Sequence, residues 1–197
     1  MEMQGSRALA ITQQQAWDAL NNPEVLKTCI PGCDKVEPTG DNQYAVGVAV
    51  KIGPVSAKFN GKITLSDINP PNSYTITFDG QGGAAGFGKG NSQVTLSPPE
   101  EGQGCVLSYN VHASVGGKIA QMGQRLIDGV AKSMAEDFFK RFDEEMQRQH
   151  PQAYAAAGAL PPVAPAQAAG TGSGGKIPTW AWVAGAVVVL AAIWLLR

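Results

Sequence analysis

The chain has 197 residues, with 15 basic and 16 acidic side chains and a net charge of −1. This balance excludes the strongly basic class of nucleic-acid-binding protein, and no nucleic-acid partner is expected. Hydrophobic residues make up 44% of the chain, which is enough to form a core, whereas two histidines and three cysteines are too few for most His-based catalytic or metal sites. The odd cysteine count also argues against a disulfide framework and favours a reducing compartment.

The first third of the chain predicts one strand and two short helices. Residues 3–11 are typical of a strand, and Thr12 is a good N-cap for a helix with the sequence QQQAWDAL. Pro23 can occupy the first turn of a second helix, PEVLKTC, and Pro31-Gly32 would end it. The N-terminus has neither a basic start nor an apolar run, so no signal peptide is expected.

The next part of the chain alternates apolar and polar residues with a period of two. Five segments show it and predict strands at 44–50, 55–65, 73–79, 92–97 and 104–115. Short turns between them predict an antiparallel sheet with one solvated face. His112 falls on that solvated face, which argues against a role in a Ser-His-Asp arrangement.

Residues 118–148 switch to a helical period. Apolar side chains recur at every fourth position: Met122, Leu126, Val130, Met134, Phe138, Phe142 and Met146. A four-residue repeat drifts by about 40° per step on an α-helix, so the stripe would wind around the helix and follow a twisted sheet. The fold class predicted is therefore α+β, with a curved antiparallel sheet around one long C-terminal helix.

The C-terminal part predicts a linker and a membrane anchor after a globular domain at 1–149. Residues 150–176 are rich in Pro, Ala and Gly and predict a disordered linker. Residues 177–196 contain no charge and match the thickness of a bilayer core as one transmembrane helix. Trp180 and Trp182 near one end and Trp194 near the other fit the two interfaces, and Gly185 with Ala181 could support helix pairing. A buried core helix is the alternative.

Two motifs suggest chemistry that the surrounding sequence does not support. Gly83 to Lys89 nearly forms a phosphate-binding loop, but Gly90 replaces the Ser or Thr and a strand follows, so a glycine-rich bend is favoured. Cys29 and Cys33 have no further Cys or His nearby to complete a metal site, so buried structural thiols are expected. No metal ligand and no catalytic residue are predicted.

The order of elements resembles the helix-grip fold, also called START-like or SRPBCC: a strand, two short helices, six strands and a long helix. More closely, the chain is similar to the carbon monoxide dehydrogenase G-subunit family over about residues 1–147. The matching residues include Cys29-Ile30-Pro31-Gly32-Cys33, Ile52-Gly53-Pro54-Val55, Gly61-Lys62, Gly86-Phe87-Gly88-Lys89-Gly90, the segment 116–128, and Phe138-Phe139. Members of this family often end in a membrane anchor, in agreement with 177–196.

A helix-grip fold implies a hydrophobic cavity between sheet and helix, although a fully packed core is an equal alternative. Eight residues are the candidate ligand-binding set: Phe59, Phe78, Phe87, Tyr109, Met122, Leu126, Val130 and Met134. Few polar groups would point inward, which suits a lipophilic ligand such as a non-covalently bound quinone.

The resemblance implies a partner and a place for the protein. The partner would be a molybdenum hydroxylase of the carbon monoxide dehydrogenase type, recruited to the cell inner membrane and coupled to the respiratory chain. The protein would be a single-pass membrane protein with its domain on the cytoplasmic side, and not itself an enzyme. Two alternatives stay open: a hydrolase or isomerase that uses the cavity, and a maturation chaperone.

Overall fold

A computed structural model describes residues 2–100 and 102–157 of the chain. Its seven strands are β1 (Glu2–Leu9), β2 (Cys33–Gly40), β3 (Gln43–Ile52), β4 (Val55–Asn69), β5 (Ser73–Gln81), β6 (Phe87–Ser97) and β7 (Cys105–Gly116). Its four α-helices are α1 (Gln13–Leu20), α2 (Pro23–Cys29), α3 (Gln124–Gln149) and α4 (Pro151–Ala157), with 3₁₀ turns at Gly83–Ala85 and Ala120–Met122. The strands form one antiparallel sheet in the order β1-β7-β6-β5-β4-β3-β2, which confirms the α+β class.

Local sequence accounts for both short helices. The Thr12 hydroxyl accepts from the Gln15 N–H at 3.3 Å, and the Gln15 side chain accepts from the Thr12 N–H at 2.9 Å, which completes a capping box for α1. Asn22 caps α2, and Pro23 takes the first helical position. The predicted start residues of both helices are confirmed.

Strand alternation places the core on one face of the sheet. Tyr74, Ile76 and Phe78 on β5 are buried, as are Leu107 and Val111 on β7, while His112 is exposed. The imidazole Nδ1 of His112 lies 3.2 Å from a Glu2 carboxylate oxygen on β1. The prediction that His112 points away from the core is therefore confirmed.

β2 is the strand that the alternation does not locate. Only Val36 among its eight residues is buried, because β2 lies at the edge of the sheet. Its pairing with β3 has register shifts after Cys33 and after Pro38. Pro38 has no backbone N–H and cannot donate to a neighbouring strand. Its place in β2 therefore fits an edge strand that pairs on one side only.

The long helix is shorter than predicted, and its first half presents a different face to the core. Gly123, with φ of 89°, separates the 3₁₀ turn at Ala120–Met122 from α3. The side chains of α3 that are buried are Ile127, Ala131, Met134, Ala135, Phe138, Phe139, Phe142 and Met146. Leu126 is 39% exposed, so its predicted place on the buried stripe is wrong.

Leu126 is not on the buried face because a strict four-residue repeat does not match the period of an α-helix. Counted at 100° per residue, Leu126 lies about 160° around the helix from Phe142, a larger rotation than the twist of the underlying sheet follows. The buried positions instead mix spacings of three and four residues, which keeps them close to one side of the helix. Phe138 and Phe142 stack at 5.7 Å between ring centroids on this side.

The ordered domain extends beyond the predicted boundary at residue 149. α4 occupies Pro151–Ala157, and Ala153 and Tyr154 pack against the core. The Tyr154 hydroxyl donates to Asp143 at 3.2 Å, and Arg7 of β1 donates to the other oxygen of the same carboxylate at 2.7 Å. Proline is well tolerated in a first helical turn, so Pro151 starts α4 instead of preventing a helix.

The predicted anchor at 177–196 and most of the predicted linker lie outside the described residues. Within the described ranges, the helices found are all too short or too polar to cross a bilayer.

Candidate ligand-binding site

An apolar pocket lies between the two short helices and the inner face of the sheet. It is lined by Leu20, Asn21, Leu26, Ile30, Val36, Tyr44, Val46, Ile63, Leu65, Tyr74 and Ile76, and we call it the α1–α2 pocket. Six of the lining residues are buried, Tyr74 and Ile76 among them, and form the floor. The half-buried ones are Asn21, Leu26, Tyr44, Ile63 and Leu65. The pocket thus has a closed apolar floor and a mouth at its half-exposed rim.

The pocket is small in this conformation. Its cavity volume is about 40 Å³, which is room for about three water molecules. Pockets that hold drug-sized ligands usually measure about 300–1,000 Å³. A quinone-sized ligand would therefore need the walls to move apart.

Two tyrosines and one asparagine provide the polar groups of the α1–α2 pocket. Tyr74 is 4% exposed, and its ring meets Trp17 edge-on at 5.3 Å. Burial, with a smaller effect from neighbouring Tyr44, raises the pKa of Tyr74 well above its ordinary value, so its hydroxyl is a neutral donor. Asn21 donates from Nδ2 to the Trp17 carbonyl at 2.9 Å, which leaves its amide oxygen as an acceptor.

The lining residues offer little for catalysis. They include no carboxylate, histidine or thiol, so the α1–α2 pocket holds neither a general base nor an activated nucleophile of the usual kinds. What the arrangement can do chemically is enclose an apolar group and hydrogen-bond a polar end.

None of the eight sequence-predicted residues lines the α1–α2 pocket. Phe59, Phe78 and Tyr109 are buried in the core, whereas Phe87 is 37% exposed. Met122 and Leu126 lie beside Gly53 of the β3–β4 turn, where a β-carbon on the glycine would be 3.2 Å and 3.5 Å from their side chains. The prediction of ligand binding by these residues stays untested.

Val130 and Met134 lie in a second, more open depression. It is a shallow groove lined by Pro31, Gly32, Ala49, Val50, Lys51, Val130, Ser133 and Met134. Val130 is half-buried, so this part of the helix stripe is at the surface rather than in an enclosed cavity. The eight predicted residues therefore do not lie together around one cavity, because some are in the core and others are at the surface.

Sequence reasoning misses the contribution of the short helices. Leu20, Leu26 and Ile30 fall in or beside helices for which the pattern predicts no partner, yet each supplies a wall of the α1–α2 pocket. Their apolar side chains are the available signal, because two helices this short must pack on another element to be stable. The alternation does place the tyrosines of β3 and β5 on the apolar strand face.

The surroundings of the cysteines and of the glycine-rich segment indicate structural roles for both. Burial raises the pKa of Cys29 to about 12 and that of Cys105 to about 12, so both are neutral thiols near neutral pH. Among residues 2–100 and 102–157, no group of three His, Cys, Asp or Glu side chains is placed to hold a metal ion. The second half of the glycine-rich segment is already part of β6, and no helix follows it, so the phosphate-loop alternative is not supported.

Comparison with known proteins identifies the family. The model of the CoxG family, the G subunit of carbon monoxide dehydrogenase, matches residues 5–147. The chain belongs to this family. The observed order of strands and helices, with α3 after a seven-stranded sheet, agrees with the helix-grip order that the sequence resembles.

Solved structures of other proteins share the fold. A conserved protein from Geobacillus kaustophilus is 35% identical, with a TM-score of 0.71 over 76% of this chain and 97% of that chain. A protein from Thermus thermophilus shares the fold at 13% identity, with a TM-score of 0.58 over 76% of this chain and 99% of that one. A Chromobacterium violaceum protein does so at 15% identity and a TM-score of 0.53, over 73% and 95% of the two chains. Comparison with curated proteins gave no match.

Proposed function

We propose that this member of the CoxG family is an accessory protein of a molybdenum-containing carbon monoxide dehydrogenase and has no catalytic activity of its own. The observation that carries the proposal is the family match, which spans nearly all of the described domain. The α1–α2 pocket supports a non-catalytic role, because its lining lacks a carboxylate, histidine or thiol.

Co-purification tests the proposed partner. The full chain, tagged at its N-terminus and expressed at native level, is expected to bring down the molybdenum enzyme from solubilised membranes. The matched control is the same tag on an unrelated membrane protein. Recovery of no molybdenum enzyme would contradict the proposal, and recovery of only its immature, cofactor-free form would identify a maturation chaperone instead.

The proposal includes a place at the membrane. The apolar segment 177–196 would hold the domain on the cytoplasmic side of the inner membrane and keep the partner close to the respiratory chain. A short tether raises the local concentration of a bound enzyme at the bilayer without any new contact.

We further propose that the α1–α2 pocket takes the ring of a lipophilic carrier such as a quinone. The apolar floor suits the ring, and a carbonyl oxygen could accept from Tyr44 at the rim or from the buried Tyr74. Because the cavity volume is about 40 Å³, binding requires α1 and α2 to move outward from the sheet.

Filling the pocket tests this ligand. Ile63 lines the pocket, whereas Lys62, its neighbour on β4, is exposed on the opposite face. We expect Ile63→Trp to abolish recovery of quinone by organic extraction and mass spectrometry while partner binding persists. Lys62→Trp is the matched control and should retain the ligand. Equal quinone recovery from both variants would place the ligand elsewhere.

A further inference from the structure

Three segments, each made of a connection and the ends of the elements that it joins, meet at one end of the sheet. They are 50–58 around the β3–β4 turn, 81–90 between β5 and β6, and 116–126 between β7 and α3, and we call them together the cationic end. The Ile119 N–H donates to the Ala85 carbonyl at 2.9 Å, and Gly53 lies against Met122 and Leu126. These contacts join the three segments into one continuous surface.

The charge of this surface has one sign. The three segments contain five basic residues and no acidic one. Lys51, Lys89, Lys118 and Arg125 are exposed, and Lys58 is paired with Asp34 of β2.

The acidic residues that border the segments have side-chain partners within the domain. Each accepts from or lies against a neighbouring polar side chain: Asp34 with Lys58, Asp79 with Gln81, Asp128 with Gln124 and Glu2 with His112. Asp79 also stands opposite Lys89 in the β5–β6 register. Lys58 and Lys89 each face a carboxylate, so Lys51, Lys118 and Arg125 are the basic residues of this surface without an opposed carboxylate in these pairs.

The opposite end of the sheet has the reverse charge. The turn at 40–43, the turn at 66–73 and the loop at 97–105 contain acidic residues and no Lys or Arg. Asp41, Asp67 and Glu100 are among them. The domain is therefore polarised along its strands, and this sets its orientation near a charged surface.

Exposed apolar side chains accompany the cations. Phe87 and Leu126 are 37% and 39% exposed, Pro54 is exposed, and Met122 is half-buried. Together they are spread over all three segments of the cationic end. Basic residues interspersed with Phe, Leu and Met are the composition with which peripheral proteins enter the headgroup region of a bilayer.

We propose that the cationic end docks the domain on an anionic phospholipid surface, independently of the C-terminal segment. Charge complementarity favours a bilayer with phosphatidylglycerol-type headgroups, because the acidic end would be repelled by the same surface. Each Lys or Arg near such a surface strengthens binding by about fivefold, so three of them account for roughly a hundredfold preference over a neutral bilayer.

The length of the chain permits docking and anchoring at the same bilayer. The described chain ends at α4, where Tyr154 lies near Asp143 and Cys105, at the start of β7. The cationic end is one strand length away, which is about 40 Å for the 12 residues of β7. Residues 158–176 can span at most about 65 Å, which is enough.

Hydrogen–deuterium exchange on the full chain tests the proposal. Reconstituted with phosphatidylglycerol vesicles, peptides covering 50–58, 81–90 and 116–126 should exchange more slowly than with phosphatidylcholine vesicles. The combined variant Lys51→Glu, Lys118→Glu and Arg125→Glu should lose that difference. The control variant Lys27→Glu, Lys62→Glu and Lys140→Glu has the same charge change at other exposed positions and should retain it.

Several results would overturn the proposal. They are equal exchange in the two kinds of vesicle, protection that survives in the first variant, and loss of protection in both variants alike. Protection of these three segments by the purified partner enzyme but not by anionic vesicles would show that the surface binds a protein. Pelleting of the full chain after a salt wash reports the C-terminal segment alone, so failure of the anchor and failure of the docking surface are distinguishable.

Discussion

Ser92 lies on the buried face of β6 with its hydroxyl enclosed in the core. It is 0% exposed, and its Oγ has no hydrogen-bond partner among the described residues. A buried hydroxyl without a partner costs about 1–3 kcal/mol of its solvation. The neighbours of Ser92 across the sheet, Ile76 and Val111, are apolar.

Removing this hydroxyl should therefore stabilise the protein. We expect Ser92→Ala to raise the free energy of unfolding by about 1 kcal/mol, measured by urea denaturation. Ser108→Ala, on the other face of β7, is the control and should change it by less than about 0.5 kcal/mol. A clear destabilisation by Ser92→Ala would show that the hydroxyl has a partner in solution.

The three thiols should differ in reactivity. Cys33 is half-buried and donates to the Lys35 carbonyl at 3.3 Å, whereas Cys29 and Cys105 are buried. We expect a disulfide reagent at about pH 8 to modify Cys33 in the native protein and the other two only in denaturant. Cys33→Ser should then leave no rapidly reacting thiol. Rapid modification of two or more thiols in the native chain would show that the core opens readily.

The same two buried thiols give the stability a dependence on alkaline pH. Burial raises the pKa of Cys29 and Cys105 from 9.0 to about 12. Below about pH 9 both states keep these protons, and above it the unfolded state loses them first, so the free energy of unfolding falls between about pH 9 and 12. Cys33→Ser should leave this decline unchanged, while the double variant Cys29→Ala and Cys105→Ala should make it shallower. An identical decline in both variants would assign it to other groups.

At the scale of elements, two neighbouring residues at the start of α3 should differ in how far the same substitution destabilises the protein. Leu126 is exposed, whereas Ile127 is 2% exposed. We expect Leu126→Trp to leave the melting temperature nearly unchanged and Ile127→Trp to lose about 1–3 kcal/mol through overpacking. Equal destabilisation by both substitutions, measured by thermal denaturation, would show that Leu126 is packed in the core, as the four-residue repeat predicts.

This helix shows how far pattern alone can predict. Alternation locates β3 to β7 because those strands have one buried face, and capping residues locate α1 and α2. The predicted face of α3 is wrong in its first half because Met122, Leu126 and Val130 are as apolar as true core residues. Only packing against the sheet decides which of two adjacent apolar positions is buried, and Gly123, with its positive φ, interrupts the helix near its predicted start.

The candidate site illustrates the same limit. Alternation places Tyr44 and Tyr74 on the inner face correctly, but it does not say which strands the short helices cover. The α1–α2 pocket depends on contacts between Leu20 or Leu26 and strands that follow much later in sequence. Such long-range contacts depend on the topology of the chain, and local residue patterns do not predict which distant elements pack together.

At the scale of the whole molecule, the C-terminal segment should be the only strong membrane attachment. Deleting 177–197 removes the charge-free run, and we expect the shortened chain to leave vesicles after a high-salt wash. Deletion of Arg197 alone is the control and should leave the chain on the vesicles. If the shortened chain still pellets after that wash, the anchor assignment is wrong.

The position of α4 has a mechanical consequence. Any pull on the chain beyond Ala157 reaches the domain through this one short helix, which is held to α3 and β1 through Tyr154, Asp143 and Arg7. A seven-residue helix is about 10 Å long and extends to about 24 Å. Under tension α4 can therefore detach and lengthen by about 14 Å while the seven strands stay paired, so it acts as a spring in series with the domain.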